Sequence, residues 1–169
     1  MISPAPLNMN SVHSPQIISI VSESVPYTPF ETLWVPHSAR FVVLGENPRR
    51  TGTISVYQLD FGGNDSDEKE QHQKRKKRET LKLQSKETKP NGFKCGTFGH
   101  SFNKKGESSR HFATGDFKGT LNIWDLEKMK EPVFEVKDAH DQIINAIDGV
   151  SGKYGAAEIV TGSVSPHLL

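Results

Sequence analysis

Few side chains in this sequence are placed to do chemistry. His140 lies close to Asp138 and Asp141, a spacing that could set an imidazole beside a carboxylate for proton transfer. The run around it reads better as structure, with the histidine joining two segments. Cys95 is the single cysteine, so it forms no internal disulfide and is the one sulfur nucleophile available. It stands in the apolar run Phe93–Phe98, where a thiol is buried and inert. No nucleophile elbow, phosphate-cradling glycine loop or catalytic carboxylate pair occurs, and no Cys/His spacing fits zinc. The reading is therefore of a chain without enzymatic activity, cofactor or metal. Lys74-Arg75-Lys76-Lys77-Arg78 is the remaining candidate. It reads first as a solvated loop, and otherwise as a nuclear-import signal or a contact for nucleic acid or an acidic protein. Phe61 is the one aromatic nearby, which gives base stacking little support.

The residues with the most regular spacing lie in Arg110–Leu126, RHFATGDFKGTLNIWDL. His111–Thr114 is a short apolar run. Asp116-Phe117-Lys118-Gly119 supplies turn chemistry. Thr120–Trp124 then alternates, with Leu121 and Ile123 on one face and Thr120, Asn122 and Trp124 on the other. This is strand, turn, strand, closed by Trp124-Asp125. The pattern recurs. Gly52-Thr53-Ile54-Ser55-Val56-Tyr57-Gln58-Leu59 repeats the pattern of Gly119–Leu126, 67 residues earlier, with Tyr57 in place of Trp124 and Gln58 in place of Asp125. Glu158–Ser163 matches His111–Asp116, 47 residues later. A period of roughly 40–45 residues, with a Trp-Asp closing the third strand, is the signature of WD-repeat propeller blades. The longer first interval is explained by a polar insertion.

The rest of the chain can be parsed on that frame. Residues 1–14, rich in Ser, Pro and Asn, read as a disordered head. Gln16–Val21 is β-branched and reads as a strand. Leu33–Val35, Phe41–Leu44 and Thr53–Leu59 are strands of a first blade. Residues 61–80, acidic and then basic, read as a disordered insertion, because so polar a tract buries too little to offset its ordering entropy. Leu81–Leu83 reads as an exposed outer strand. Phe93–Phe98, the opening hairpin and Pro132–Val136 make a second blade. Ile143–Ile147 and Ile159–Thr161 start a third. Residues 164–169 form a divergent tail with no further turn-and-Trp-Asp pattern. The expected fold is all-β: an incomplete propeller over residues 15–163, about two and a half blades of seven. With 169 residues and a net charge of +1, neither a closed seven-bladed ring nor a global pull toward nucleic acid or membrane is expected. No positive charge precedes Arg40 and no run approaches the ~20 apolar residues of a membrane helix, so neither a signal peptide nor a spanning segment is expected.

These segments resemble the Monad-type WD-repeat family of dynein axonemal assembly factors. The likeness is carried by Pro15–Ile18, Trp34-Val35-Pro36, Lys94–Gly99, Ala113–Phe117 with Ile123-Trp124, and Ile144–Gly149 through Glu158–Ser163. The resemblance implies a seven-bladed propeller in which Gln16–Val21 closes the ring. It implies a cochaperone adaptor working with a RuvB-like ATPase and prefoldin-like chaperone assembly on dynein arm subunits in the cytoplasm. The alternatives are a nuclear protein using the basic loop, or a truncated product with little activity. Within the blades, Thr114, Trp124, Asp125, His140 and Thr161 are expected to form the structural hydrogen-bonded network, with Lys118 where the repeat carries its turn aspartate. The candidate protein-binding loops are Asp116, Phe117 and Lys118, and Asp138 and Asp141. Phe117 could equally contact a partner or tuck under the neighbouring blade.

Overall fold

The structure, a computed structural model, describes residues 19–60, 80–99, 110–150 and 158–164. The expected disordered head, residues 61–79 of the insertion, and all but one residue of the tail lie outside the described residues.

The described residues form three antiparallel sheets and no helix. The first is a meander of β1 (Thr28–Trp34), β2 (Arg40–Glu46), β3 (Gly52–Asp60) and β4 (Thr80–Lys89). The second repeats it with β5 (Phe93–Thr97), β6 (His111–Asp116), β7 (Leu121–Asp125) and β8 (Phe134–Val136). In the third, β9 (Ile144–Val150) pairs with β10 (Glu158–Ser163). The two glycine-threonine repeats occupy the same place: β3 and β7 are each the third strand of a four-stranded sheet. The other repeat also falls on equivalent elements, since β6 and β10 are second strands. This is a partial WD-repeat propeller, as the repeats require.

Strand periodicity decides which sheets meet. On β2, Val42 and Leu44 point one way and Phe41 and Val43 the other. Val42 and Leu44, with Ile54 and Val56 of β3, pack against Phe93, Phe98, Phe112 and Trp124 of the second sheet. Phe93 meets Trp124 edge-on, with ring centres 6.0 Å apart. The sheets come so close that a Cβ on Gly96 would stand 2.6 Å from the Leu44 Cδ1. A side chain there would have to push the ends of Leu44 and Leu33 aside. The other face of the first sheet carries a cross-strand row, Trp34 opposite Phe41, Phe41 opposite Tyr57, and Tyr57 opposite Leu83. Trp34 and Leu83 remain 59% and 52% exposed at the ends of this row. The first sheet thus has a second apolar face that needs a neighbour.

Three expectations need correction. No strand forms over the described part of Gln16–Val21: residues 19–25 are irregular, and Ile20 is 59% exposed. A lone strand cannot satisfy its backbone, and none of the described strands lies beside it. The first strand starts earlier than Leu33, at Thr28, and passes through Pro29. The register shifts between Pro29 and Glu31, the kind of irregularity that tolerates a residue without an N–H. The outer strand runs from Thr80 to Lys89 rather than stopping at Leu83.

Candidate functional site

The β6–β7 turn is where the predicted loop residues meet. It is built around Asp116. One carboxylate oxygen, Oδ1, accepts from the backbone N–H groups of Lys118 and Thr120, both at 2.8 Å. The other, Oδ2, accepts from Asn91 Nδ2 at 3.0 Å. Asp116 is 2% exposed, so it does not face a partner. Its expected place among the binding residues is corrected: the carboxylate is consumed in holding the turn to the β4–β5 connection. The turn then needs a left-handed residue, and Gly119 supplies it at φ 82°. A Cβ there would stand 1.9 Å from the His140 carbonyl oxygen. His140 N donates to the Gly119 carbonyl at 3.1 Å, so the turn is tied to the segment that leads into β9.

Phe117 sits at the tip, half-buried. Its ring lies 5.2 Å from that of Phe30 on β1, reaching across to the neighbouring sheet. Lys94 Nζ stands 4.6 Å from the Phe30 ring centre on the same patch. Phe30 is 36% exposed and Lys118, Asp138 and Asp141 are exposed. The result is a small aromatic surface, Phe30 with Phe117, bordered by Lys94. Phe117 packs on the adjacent blade, and part of it still faces outward.

Beneath this surface the expected network splits into two separate pairs. Trp124 Nε1 donates to Thr114 Oγ1 at 2.8 Å. His140 Nε2 lies 2.9 Å from Thr161 Oγ1. All four residues are buried. Asp125 joins neither pair, because alternation along β7 turns it away from the Trp124 face. It accepts from Arg110 Nη2 at 2.8 Å and from the Glu127 N–H at 2.9 Å instead. Desolvation opposes its charge, but the Glu127 amide and the Arg110 guanidinium outweigh it and hold the carboxyl below its usual range. Sequence reasoning gives Asp116 as a turn residue and a partner contact, and misses that its carboxylate caps the turn. The signal was present: an Asp three residues before a Gly is the pattern of a side chain capping its own turn.

The residues read for chemistry are engaged elsewhere. The His140 ring is paired with a threonine, and neither Asp138 nor Asp141 bonds to it. Cys95 Sγ donates to the Ile144 carbonyl at 3.2 Å, and burial pushes its thiol up to about 11. Among the described residues no three His, Cys, Asp or Glu groups are placed to hold a metal ion. No helix among them is long and apolar enough to cross a membrane.

Comparison with known proteins gives a consistent picture. No family model matches the sequence. The chain is 43% identical over 155 residues to dynein axonemal assembly factor 10 of Xenopus laevis, covering 90% of this chain and 37% of that protein. It is 41% identical over 158 residues to the Homo sapiens protein of the same name, covering 92% and 38%. For the Chlamydomonas reinhardtii protein of that name the figure is 38% over 156 residues, covering 90% and 37%. The family resemblance read from the residues therefore holds. The chain spans a little over a third of the length of these relatives.

Proposed function

We propose that this chain, kin to the dynein axonemal assembly factor 10 proteins along nine-tenths of its length, is a non-catalytic protein-interaction scaffold. It acts as a cochaperone adaptor in the assembly of multiprotein complexes such as axonemal dynein arms. Its partners are a RuvB-like ATPase and prefoldin-like chaperone assembly and the dynein arm subunits they mature, and it works in the cytoplasm. The observation that carries this reading is the likeness itself, which extends through all three sheets rather than through the Trp-Asp positions alone. The geometry supports it. Side chains that could act on a substrate are engaged in holding blades together, and the turn face offers a rigid aromatic patch bordered by Lys94. Interfaces of this kind draw their energy from a few aromatic anchors.

The test is capture from ciliated-cell extract with the tagged chain, followed by identification of the bound proteins. RuvB-like ATPase and dynein arm subunits are expected. Phe117→Ser together with Lys118→Glu, both at the turn tip and neither in the core, should reduce their recovery while leaving the thermal transition in place. Recovery of neither class by the parent chain would overturn the adaptor reading. Undiminished recovery by the double variant would move the contact to another face.

A further inference from the structure

An open pocket of about 180 Å³ lies on the second sheet, between the β4–β5 and β7–β8 connections. Its walls are flat: the rings of Trp124 and Phe93, with Pro90 and Pro132. Asn122 lines it from β7. This residue is only 6% exposed, yet no hydrogen bond to its carboxamide forms among the described residues. Its carboxamide is not sealed off, since among the described residues the side-chain atoms buried without a partner are Tyr27 Oη and Ser55 Oγ; it meets whatever occupies the pocket.

His140 precedes the first residue of β9 by four positions, and its ring reaches Thr161. Four positions before β5 stands Lys89. Its ammonium donates to the Lys130 carbonyl and lies 5.0 Å from the Trp124 ring centre. Lys89 thus stands where the third sheet carries an imidazole, and its side chain borders the pocket.

The lining also defines the occupant. Lys89 and Lys130 stand against three carboxylates, Glu131, Glu135 and Asp116, so the lining carries a net negative charge and repels an anion. The Lys89 ammonium already covers the Trp124 ring, the place a second cation would take. The volume is well below the ~300 Å³ at which drug-sized ligand pockets begin, and suits one side chain. Flat walls favour a planar group. A free carboxamide at the base pairs best with another carboxamide, which offers the same donors and acceptor in reverse.

We propose that this cavity receives the side-chain carboxamide of an Asn or Gln carried by a partner polypeptide. The proposal rests on the scaffold reading and names one anchor that a partner would use. It is tested on the full chain by proton–nitrogen correlation spectra during titration with propionamide, and separately with propionate and with propylammonium, which match it in size. Propionamide should give saturable shifts confined to the Asn122 side-chain NH₂, the Trp124 indole N–H and their neighbours. Asn122→Ala should weaken that binding about tenfold, the value of one hydrogen bond. The Trp124 indole resonance, held by Thr114, should keep its position in the free variant and so report an intact fold. Equal or stronger saturation by propionate or propylammonium overturns the proposal. So does the absence of saturable shifts with propionamide, or undiminished binding by Asn122→Ala. The outcome is separable from that of the capture experiment: propionamide binding without chaperone recovery keeps the subsite and removes the adaptor.

Discussion

Replacing Thr114 with valine tests whether a buried hydrogen bond organises the second blade. The Thr114 hydroxyl accepts from the Trp124 indole at 2.8 Å, and the two residues are 0% and 3% exposed. Valine keeps the shape and removes the acceptor. The indole N–H is then stranded away from water, which costs about 1–3 kcal/mol. Burying a methyl in place of a hydroxyl returns part of this, leaving a net loss of about 1.5 kcal/mol. For a unit of this size that lowers the thermal midpoint on the order of 5–10 °C. The assay is urea and thermal unfolding followed by tryptophan fluorescence and circular dichroism. It is run on Thr114→Val, Trp124→Phe and the double variant. Trp124→Phe alone also opens space in the core, but the cycle cancels that contribution. A coupling of about 1.5 kcal/mol is expected, so that Thr114→Val costs almost nothing once the indole is gone. Equal cost of Thr114→Val in both backgrounds, or no cost in the parent, would refute the reasoning.

The remaining predictions concern the turn, the alkaline limit and the basic run. Gly119→Ala places a Cβ 1.9 Å from the His140 carbonyl oxygen at φ 82°. It should destabilise the chain by about 3 kcal/mol or more, seen as a lost or strongly lowered thermal transition. Burial raises Cys95 from 9.0 to about 11 and Tyr27 from 10.0 to about 12. The unfolded chain releases these protons first, so their contribution is whole below pH 9 and is lost as pH rises, over 9–11 for Cys95 and 10–12 for Tyr27. Urea midpoints measured at rising pH should fall through this window, and in Cys95→Ala the fall should begin about one pH unit later. Removing the charges of Lys74–Arg78 should leave a fluorescently tagged chain in the cytoplasm. A shift from nucleus to cytoplasm on their removal would favour an import signal over a solvated loop.

What could be read in advance depended on how local the physics was. The strands β2, β3, β6 and β7 carry their own signal: two-sided burial gives the run Phe41–Leu44, and alternation gives Leu121–Trp124. Repetition of a short pattern then placed β3 and β7 in equivalent positions without any knowledge of contacts. The strand β4 did not announce itself beyond Leu83, because Gln84–Lys89 is polar on both faces and is held by its ladder to β3 rather than by burial. Asp116 was legible as a turn residue but not as a buried one, since its third donor, Asn91, is 25 residues away. Asp125 was misplaced because the Trp-Asp pair reads as a unit in sequence, while the pleat sends the two side chains to opposite faces. The Phe30–Phe117 contact arises only when two sheets meet, and the pocket beside Asn122 only when two connections do, so no single segment encodes them.

The central claim is that successive hairpins are equivalent blades packed face to face. Nuclear Overhauser contacts in the isotopically labelled chain test it most directly. The account predicts cross-strand contacts of Val42 with Val56 and of Phe112 with Trp124, which place the two glycine-threonine strands third in their sheets. It also predicts contacts between the Leu44 methyls and Gly96, which join those sheets. Strands 52–59 and 119–126 with unlike neighbours, or paired strands with no contact between Leu44 and Gly96, would contradict it.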